Sequence, residues 1–430
     1  MNEKFLSYLW KSRCFHTDLH TESGEELAIH HPGEQNTDSG PDFFNSRLRI
    51  GNTQWAGNIE IHVCSSDWYR HGHHNDPAFN NAILHVVFEN DKQVYRNDGT
   101  ELPTLVVKNH FPGQILDRYQ KIMSAMHPIP CITQLHEIPQ SCLRLWAPAL
   151  TLERWMLRSE NLNRFWEKSG NDWEETIYQH IASCFGFKIN QLAFELLARS
   201  APLKLIRAVC VSQKNTEALL FGQAGFFAGT FEEEYPLELF HIYQLLKNKY
   251  TLQPLQPGLW KFLRLHPLNF PTIRISQFAD LITKINANFF RILEPRTLSG
   301  FIDLFQISAS GYWNSHYLFD RPSSASPKKI GPAGKESLII NGVLPMLFFY
   351  GTMKDRCDLR ELTFELLEQM PPERIALIQI WKNAGIIAQN ALESQALLQL
   401  KSHYCDKKRC LECRFGKEIL VGSSKSLKNP

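Results

Sequence analysis

The chain has 430 residues, of which 43% are hydrophobic and 21% charged, and a formal net charge of +2 at pH 7. This length and apolar content suffice to bury a large core in two or three domains, and they exclude global disorder. The near balance of charge excludes a generally basic surface, so a nucleic-acid partner would require a local patch.

The expected cellular setting follows from the absence of apolar segments and from the cysteines. No run of about eighteen apolar residues is present to cross a bilayer, and the first four residues do not lead into the apolar core of a signal peptide. Ten cysteines are then typical of reduced thiols in a cytosol. We expect a soluble, cytoplasmic protein without a membrane partner, whose oligomeric state is open.

The first part of the chain, residues 1–125, alternates short apolar runs with Gly, Asn and Asp turns. A hairpin is predicted around Gly51-Asn52, because apolar alternation continues on both sides of this pair. Together the patterns predict a mixed sheet flanked by helices, in an α+β fold. The predicted strands and helices in this region lie at 5–10, 47–50, 53–55, 82–88, 102–107 and 113–126.

Two motifs in this region carry side chains suited to a metal. Asp42 lies at the entrance to one strand, and Glu60 and His62 lie two residues apart on the next. Because residues i and i+2 of a strand share a face, Glu60 and His62 are expected to point together. Two carboxylates and a polar third group suit Mg²⁺ or Mn²⁺, which can generate hydroxide and hold a phosphodiester in line. The alternative is that Asp42 caps a turn and that Glu60 and His62 face solvent.

Histidines are concentrated just after this motif, at His71, His73 and His74, and His85 follows on a predicted strand. Imidazole is the commonest transition-metal ligand and an acid or base near neutral pH. A single histidine on a strand is usually structural, but a cluster beside Glu60 favours one shared pocket. The candidate catalytic residues are therefore Asp42, Glu60, His62, His71, His73 and His85.

The layout of Asp42, Glu60 and His62 resembles the PD-(D/E)XK nuclease superfamily, in which Asp and Glu hold the metal and a lysine completes the site. The resemblance covers about the first quarter of the chain and implies a nuclease-like core with Asp42 and Glu60 as metal ligands. His62 stands at the position of the lysine. This departure falls on a catalytic residue, so it bears on activity more than on metal binding.

Longer stretches of sequence resemble a second family. They include Gly57–His62, Asp67-Trp68, His71–His73 and Leu84–Val87, with later ones at 221–226 and 339–341. These stretches look like domain of unknown function 2851, a group of bacterial proteins. The resemblance covers nearly the whole chain and implies a bacterial, cytoplasmic protein, but it supplies no activity and no functional residues.

A proline-containing linker is predicted at residues 126–142, because proline fixes its own φ and disfavours helix in the residue before it. Residues 143–400 then show apolar residues at helical spacing, which predicts a mainly helical domain. Arg321–Lys335 is predicted to be an exposed loop that could contact phosphate, and residues 421–430 a flexible tail. Within the helical domain, helices are expected at 235–250, 276–291 and 358–400.

The segment 401–420 contains a cysteine cluster. Cys410 and Cys413 have the separation at which two thiolates bind one metal, and Cys405 is close enough in sequence to be a third ligand. The fourth ligand is open between His403 and a distant cysteine, namely Cys131 or Cys357. Zinc is the first choice of metal, and an iron–sulfur cluster is the alternative. The less favoured interpretation is a set of ordinary thiols in the basic segment 407–409. A metal here would act as a structural clip.

Three functions remain open from the sequence. The first is a metal-dependent nuclease or phosphodiesterase, a hydrolase that uses Asp42, Glu60 and His62 on nucleic acid. The second is a catalytically inactive, nuclease-like module that binds nucleic acid or protein. The third is a His-rich zinc hydrolase that acts on another substrate.

Overall fold

The computed structural model describes residues 1–422, and the chain divides into two compact units. The first, here called the sheet unit, comprises Met1–Cys142 and the segment that begins at Leu400. The second, the helical unit, comprises Leu143–Gln399. The helical unit is therefore an insertion in the sequence of the sheet unit. Residues 423–430 of the predicted flexible tail lie outside the described residues.

The sheet unit contains a seven-stranded mixed sheet, which confirms the mixed α/β architecture expected for this region. Its strands are β1 (Leu19–His20), β2 (Glu26–His31), β3 (Glu34–Gln35), β4 (Phe43–Ile50), β5 (Thr53–Cys64), β6 (Ala82–Glu89) and β7 (Thr104–Val106). The order is β1-β2-β4-β5-β6-β7, with β3 paired to β4. Neighbours from β1 to β5 are antiparallel, whereas β6 is parallel to both β5 and β7.

The predicted hairpin is the turn between β4 and β5. Ile50 pairs with Thr53, and Gly51 adopts a φ of 55°, a left-handed conformation that glycine reaches without a Cβ clash. Further along β5, Ile59 and Ile61 are 0% and 1% exposed. Their burial places the alternate residues of β5 on the opposite face, where the candidate site lies.

The α-helices are numbered here in chain order. They are α1 (Glu3–Ser12), α2 (Asp67–Arg70), α3 (Gly113–Ser124), α4 (Gln140–Lys168), α5 (Trp173–Phe185), α6 (Gln191–Ser200), α7 (Leu203–Val209), α8 (Gln213–Gln223), α9 (Glu234–Tyr250), α10 (Pro271–Lys284), α11 (Leu298–Leu304), α12 (Pro332–Leu338), α13 (Leu344–Met353), α14 (Cys357–Gln369), α15 (Ala376–Asn383), α16 (Ala391–Gln399) and α17 (Arg414–Val421). A two-stranded sheet, β8 (His316–Leu318) with β9 (Arg321–Pro322), accompanies the helices of the helical unit.

Two elements of the sheet unit differ in length from the prediction. Helix α1 is longer because Asn2 caps it, its side chain accepting a hydrogen bond from the Phe5 N–H. Strand β7 begins only at Thr104, after Pro103, which has no N–H to donate to a neighbouring strand. The segment predicted as a linker, 126–142, contains a 3₁₀-helix at Ile132–Glu137 and the first residues of α4.

In the helical unit, the predicted and observed helices differ mainly in where they end. The predicted helix 235–250 is α9, but the helix predicted at 276–291 is α10, which already ends at Lys284. Asn286 and Ala287 follow with φ values of 54° and 50°, which no right-handed helix contains. The segment 358–400, predicted to be helical, contains three helices, α14, α15 and α16, which Pro371-Pro372 and Gly385 separate.

The expectation of an exposed loop at Arg321–Lys335 was wrong for one of its cations. Lys328 is 0% exposed, and its Nζ donates hydrogen bonds to the Ser326 Oγ at 2.8 Å and the Asn314 carbonyl at 3.2 Å. The ammonium also lies 4.2 Å from the centre of the Tyr317 ring. Lys328 thus holds the loop together and is not available to a phosphate.

One continuous helical stretch among the described residues, Pro332–Met353, is long and apolar enough to cross a membrane by length and composition. In the window that passes this test, 67% of the residues are buried within the protein. Burial of this kind is typical of a core helix.

The close approach of β5 and β6 depends on Gly57. A Cβ added at Gly57 would lie 2.4 Å from the Ile83 Cγ2 and 2.7 Å from the Asn81 carbonyl oxygen. Gly57→Ala should therefore push the two strands apart and lower the free energy of unfolding by about 1–3 kcal/mol. Gly113→Ala, where a Cβ meets nothing within 4 Å, is the matched control. Equal urea midpoints for the two variants would contradict this account of the packing.

Candidate functional site

The site begins with a reciprocal pair of hydrogen bonds between the entrance of β4 and the middle of β5. The Asp42 N–H donates to the Glu60 Oε2 at 3.1 Å, and the Ile61 N–H donates to the Asp42 Oδ2 at 3.0 Å. Both carboxylates are thereby held beside each other. Burial, and secondly the Glu60 charge, raise the pKa of Asp42 to about 7. A bound cation would act in the opposite direction.

Glu60 also lies next to two imidazoles. Its Oε1 is 3.5 Å from the Nε2 of His62 and 3.3 Å from the Nε2 of His73. Glu60 and His62 share one face of β5, as their spacing requires, and they are 6% and 1% exposed. The alternative in which Glu60 and His62 face solvent is therefore wrong, because the segment after β5 covers this face.

A chain of imidazoles extends from His62 in two directions. Its Nδ1 lies 2.8 Å from the Nε2 of His85, and its Nε2 lies 3.1 Å from the Nδ1 of His71. His85 comes from β6, which pairs with β5 in parallel so that His85 is opposite Glu60. His71 directly follows α2, and His73 begins a 3₁₀-turn. Strands β5 and β6 and the segment that follows α2 thus contribute to one group of side chains.

The histidines nearest to one another are His62, His71 and His73. One ligand nitrogen from each lies within 4.8 Å of the other two, a spacing at which one metal ion could bind all three. Among the described residues, the Nε2 of His73 is buried without a hydrogen-bond partner, and so is the Nδ1 of His85. The contact between His73 and Glu60 is therefore close in distance without hydrogen-bond geometry.

Two aromatic side chains form a wall of the site, and sequence reasoning did not select them. The Phe79 ring stacks on His73 at a centroid distance of 3.8 Å, and the Trp68 ring lies 5.4 Å from His73 and 5.5 Å from His85. Trp68 is fully buried, and its indole N–H donates to the Tyr95 carbonyl. The signal in the sequence was the position of Trp68 and Phe79 on either side of the histidine run.

The protonation of the inner imidazoles is set by burial. Desolvation, and secondly the neighbouring His73, lower the pKa of His85 to about 3. Desolvation followed by the charges of His85, His73 and His71 also holds the pKa of His62 well below its ordinary value. Both rings are therefore neutral at physiological pH, the state in which a histidine nitrogen can bind a metal.

The structure brings all six sequence-selected residues of the N-terminal site into this one network. A family model described as a protein of unknown function (DUF2851) matches residues 3–375 of the chain. The chain belongs to this family. Membership covers both the sheet unit's network and most of the helical unit. No curated protein and no solved structure matches the chain.

The selected cysteines lie outside the histidine network, and four of them lie near enough to one another that their charges raise one another's pKa. Cys131, Cys405, Cys410 and Cys413 all belong to the sheet unit and are buried. Cys131 is thus the distant cysteine that joins the cluster, whereas Cys357 is exposed at the start of α14 in the helical unit. His403, the other proposed fourth ligand, has its Nδ1 2.9 Å from the Ser402 Oγ.

The low pKa of His85 predicts a measurable titration in protein freed of metal by a chelator. Its imidazole should stay neutral above about pH 4, since its pKa is near 3. Nitrogen-15 NMR of the ring, with His85→Phe to assign the signal, measures this directly. The unfolded chain takes up the proton near pH 6.5, so the sheet unit should lose stability as the pH falls from 6.5 towards 3. Protonation of His85 near pH 6.5 would contradict the assignment of burial as the cause.

Proposed function

We propose that the sheet unit is a metal-dependent phosphodiesterase that acts on nucleic acid. The observation that carries the proposal is the convergence of the Glu60 carboxylate with the ring nitrogens of His62 and His73, at 3.5 and 3.3 Å. A buried carboxylate is costly unless a cation or further hydrogen bonds satisfy it. A metal ion would satisfy these groups together.

The residues present suit a transition metal. His62, His71 and His73 would supply three nitrogens, and Glu60 a carboxylate oxygen. This nitrogen-rich set favours Mn²⁺ or Zn²⁺ over Mg²⁺, which prefers oxygen ligands. The unpartnered, buried Nε2 of His73 supports the assignment, because an imidazole nitrogen is rarely left without a partner.

When bound, such a cation supplies an activated water and a clamp on a phosphodiester oxygen. The protein residues do the positioning. Asp42 holds the Glu60 carboxylate through its backbone N–H, and His85 holds the ring of His62 through the 2.8 Å contact between their nitrogens. The wall of Trp68 and Phe79 excludes water from the inner side of the site.

Nucleic acid is proposed as the substrate because of where the carboxylates lie. Asp42 stands at the start of β4, and Glu60 and His62 lie on the adjoining strand β5. This placement supports the nuclease-like interpretation drawn from the sequence pattern. The difference is at His62, which occupies the position of a lysine.

A second candidate is an inactive module that binds nucleic acid without cutting it. The observation that favours it is the environment of His62, which is 1% exposed and neutral. His62 therefore cannot supply the positive charge of a lysine. In this case the metal would have a structural role.

Metal binding is the first test. Protein freed of metal by a chelator should bind one Mn²⁺ or Zn²⁺ at the histidine site, as measured by isothermal titration calorimetry. His73→Ala should weaken the metal affinity by about 100-fold, because changes even to the partners of metal ligands cost about 10- to 100-fold. His74→Ala is the control, because His74 adjoins His73 in sequence but contacts Asn75 and Tyr69 instead. The cysteine cluster could also bind metal. Both variants and the wild type therefore keep all the cysteines, so that a difference in metal affinity reports on the histidine site. Equal metal affinities of the two variants would contradict the proposed metal site.

Cleavage is the second test. Single- and double-stranded DNA and RNA should be hydrolysed with Mn²⁺ or Zn²⁺, and Glu60→Gln should reduce the rate by about 100-fold or more through loss of a ligand charge. Gln is preferred to Ala because Glu60 is buried and accepts the Asp42 N–H. The control is Glu89→Gln, which changes an exposed carboxylate paired with Lys108. Nucleic-acid binding with no cleavage under any of these metals would support the inactive module instead.

A further inference from the structure

A second cluster of chemically reactive side chains lies in the sheet unit, apart from the histidine network in sequence and composition. Cys131, Cys405, Cys410 and Cys413 are 7%, 8%, 7% and 6% exposed, and none of the four forms a disulfide. Their charges act on one another: Cys131, Cys405 and Cys410 all raise the pKa of Cys413, after the larger effect of burial. In packing, a buried cysteine acts only as a small apolar side chain, which other residues could replace. Four buried thiols in one unit therefore indicate a role for the sulfur atoms themselves.

Local structure holds each cysteine at a fixed point. Cys131 immediately precedes the 3₁₀-helix Ile132–Glu137, Cys405 ends a π-helical turn that starts at Leu400, and Cys413 is the residue before α17. The C-terminal segment is anchored to α3. The Arg118 Nη1 donates to the Ile419 carbonyl and the Lys408 Nζ donates to the Met123 carbonyl, both at 2.6 Å.

Burial raises the pKa of all four thiols, and hydrogen-bond donors and cations beside the sulfurs oppose it only in part. The Gly416 N–H, in the first turn of α17, donates to Cys413 and lowers its pKa, in opposition to burial. Lys401 acts in the same direction on Cys405, and Lys408 does so on Cys410. Gly416 itself cannot carry a side chain, because a Cβ would lie 2.0 Å from the Cys410 carbonyl oxygen.

The spacing of the sulfurs distinguishes the possible ligands. Four thiolates that share one zinc ion, each about 2.3 Å from it, lie within about 4 Å of one another. Among the described residues, the group of three or more ligand atoms within 4.8 Å of one another is the histidine group, and no three of the cysteine sulfurs qualify. In an iron–sulfur cluster the thiolates bind different iron atoms, so their sulfurs stand farther apart.

We propose that Cys131, Cys405, Cys410 and Cys413 bind an iron–sulfur cluster. The cluster would join two parts of the chain that are 274 residues apart (405 − 131), on either side of the inserted helical unit. A link across so long a loop stabilises chiefly by restricting the unfolded chain. It therefore closes the sheet unit after the insertion and is a structural centre.

The direct test is metal and sulfide analysis of the full chain, purified without oxygen or metal-affinity resin. We expect iron and acid-labile sulfide in equal amounts, at about two or four of each per chain, with visible charge-transfer absorption that bleaches on reduction. About one zinc per chain without sulfide, retained after the histidine site is removed by His73→Ala, would overturn the proposal. So would an absence of iron and sulfide after reconstitution with ferrous iron and sulfide.

Variants locate the cluster. Cys131→Ser and Cys413→Ser should each lose most of the iron and the visible absorption, whereas Cys357→Ser, at an exposed cysteine of the helical unit, should keep both. Bleaching the wild-type protein with ferricyanide should lower the melting temperature of the sheet unit, which tests the structural role without any substitution. Full iron content in Cys131→Ser would overturn the assignment. Iron content is independent of cleavage, so this result and the outcome of the nuclease assay can be told apart.

Discussion

The sheet unit depends on the two hydrogen bonds that join Asp42 to β5. Each residue of the Asp42–Glu60 pair accepts a backbone N–H from the other side, at 3.1 and 3.0 Å. These bonds fix where β4 begins against β5, and a shift of one residue would turn Glu60 and His62 to the opposite face. They also keep the carboxylate of the half-buried Asp42 close to that of the buried Glu60, and the Glu60 charge contributes to the raised pKa of Asp42. The geometry of the candidate site is thus set by the same bonds that set the strand register.

Around this pair, some buried polar atoms have no hydrogen-bond partner among the described residues. His62 satisfies both of its ring nitrogens with other imidazoles, yet His73 and His85 each retain a buried nitrogen without a hydrogen bond among the described residues. An incomplete polar network lowers stability when nothing is bound. A cation would neutralise Glu60 and engage the free nitrogen of His73, so the arrangement has the character of a preformed binding site. The depressed pKa values of His62 and His85 keep both rings neutral near physiological pH.

The order of the two units along the chain explains the proposed role of the cysteine cluster. The sheet unit is interrupted at Cys142 and resumes at Leu400, so its last helix, α17, must return across a long insertion. Hydrogen bonds donated by Arg118 and Lys408 hold the returning C-terminal segment against α3. A cluster bound by Cys131 and the three C-terminal cysteines would add a covalent link at the same place. The two proposed centres would therefore differ in role, because the histidine network would bind a catalytic cation and the cysteine cluster would close the sheet unit.

The sequence by itself determined the features that depend on residues close together in the chain. The two-residue spacing of Glu60 and His62 placed them on one face of a strand, Gly51-Asn52 predicted the hairpin, and the spacing of Cys410 and Cys413 indicated a candidate metal site. Tertiary structure decided which distant partners join them. His85 reaches His62 only because β6 pairs in parallel with β5, and Cys131 reaches the C-terminal cysteines only because the chain returns after 274 residues (405 − 131). Register and chain return arise from non-local packing and hydrogen bonding, which leave no periodic mark in the sequence.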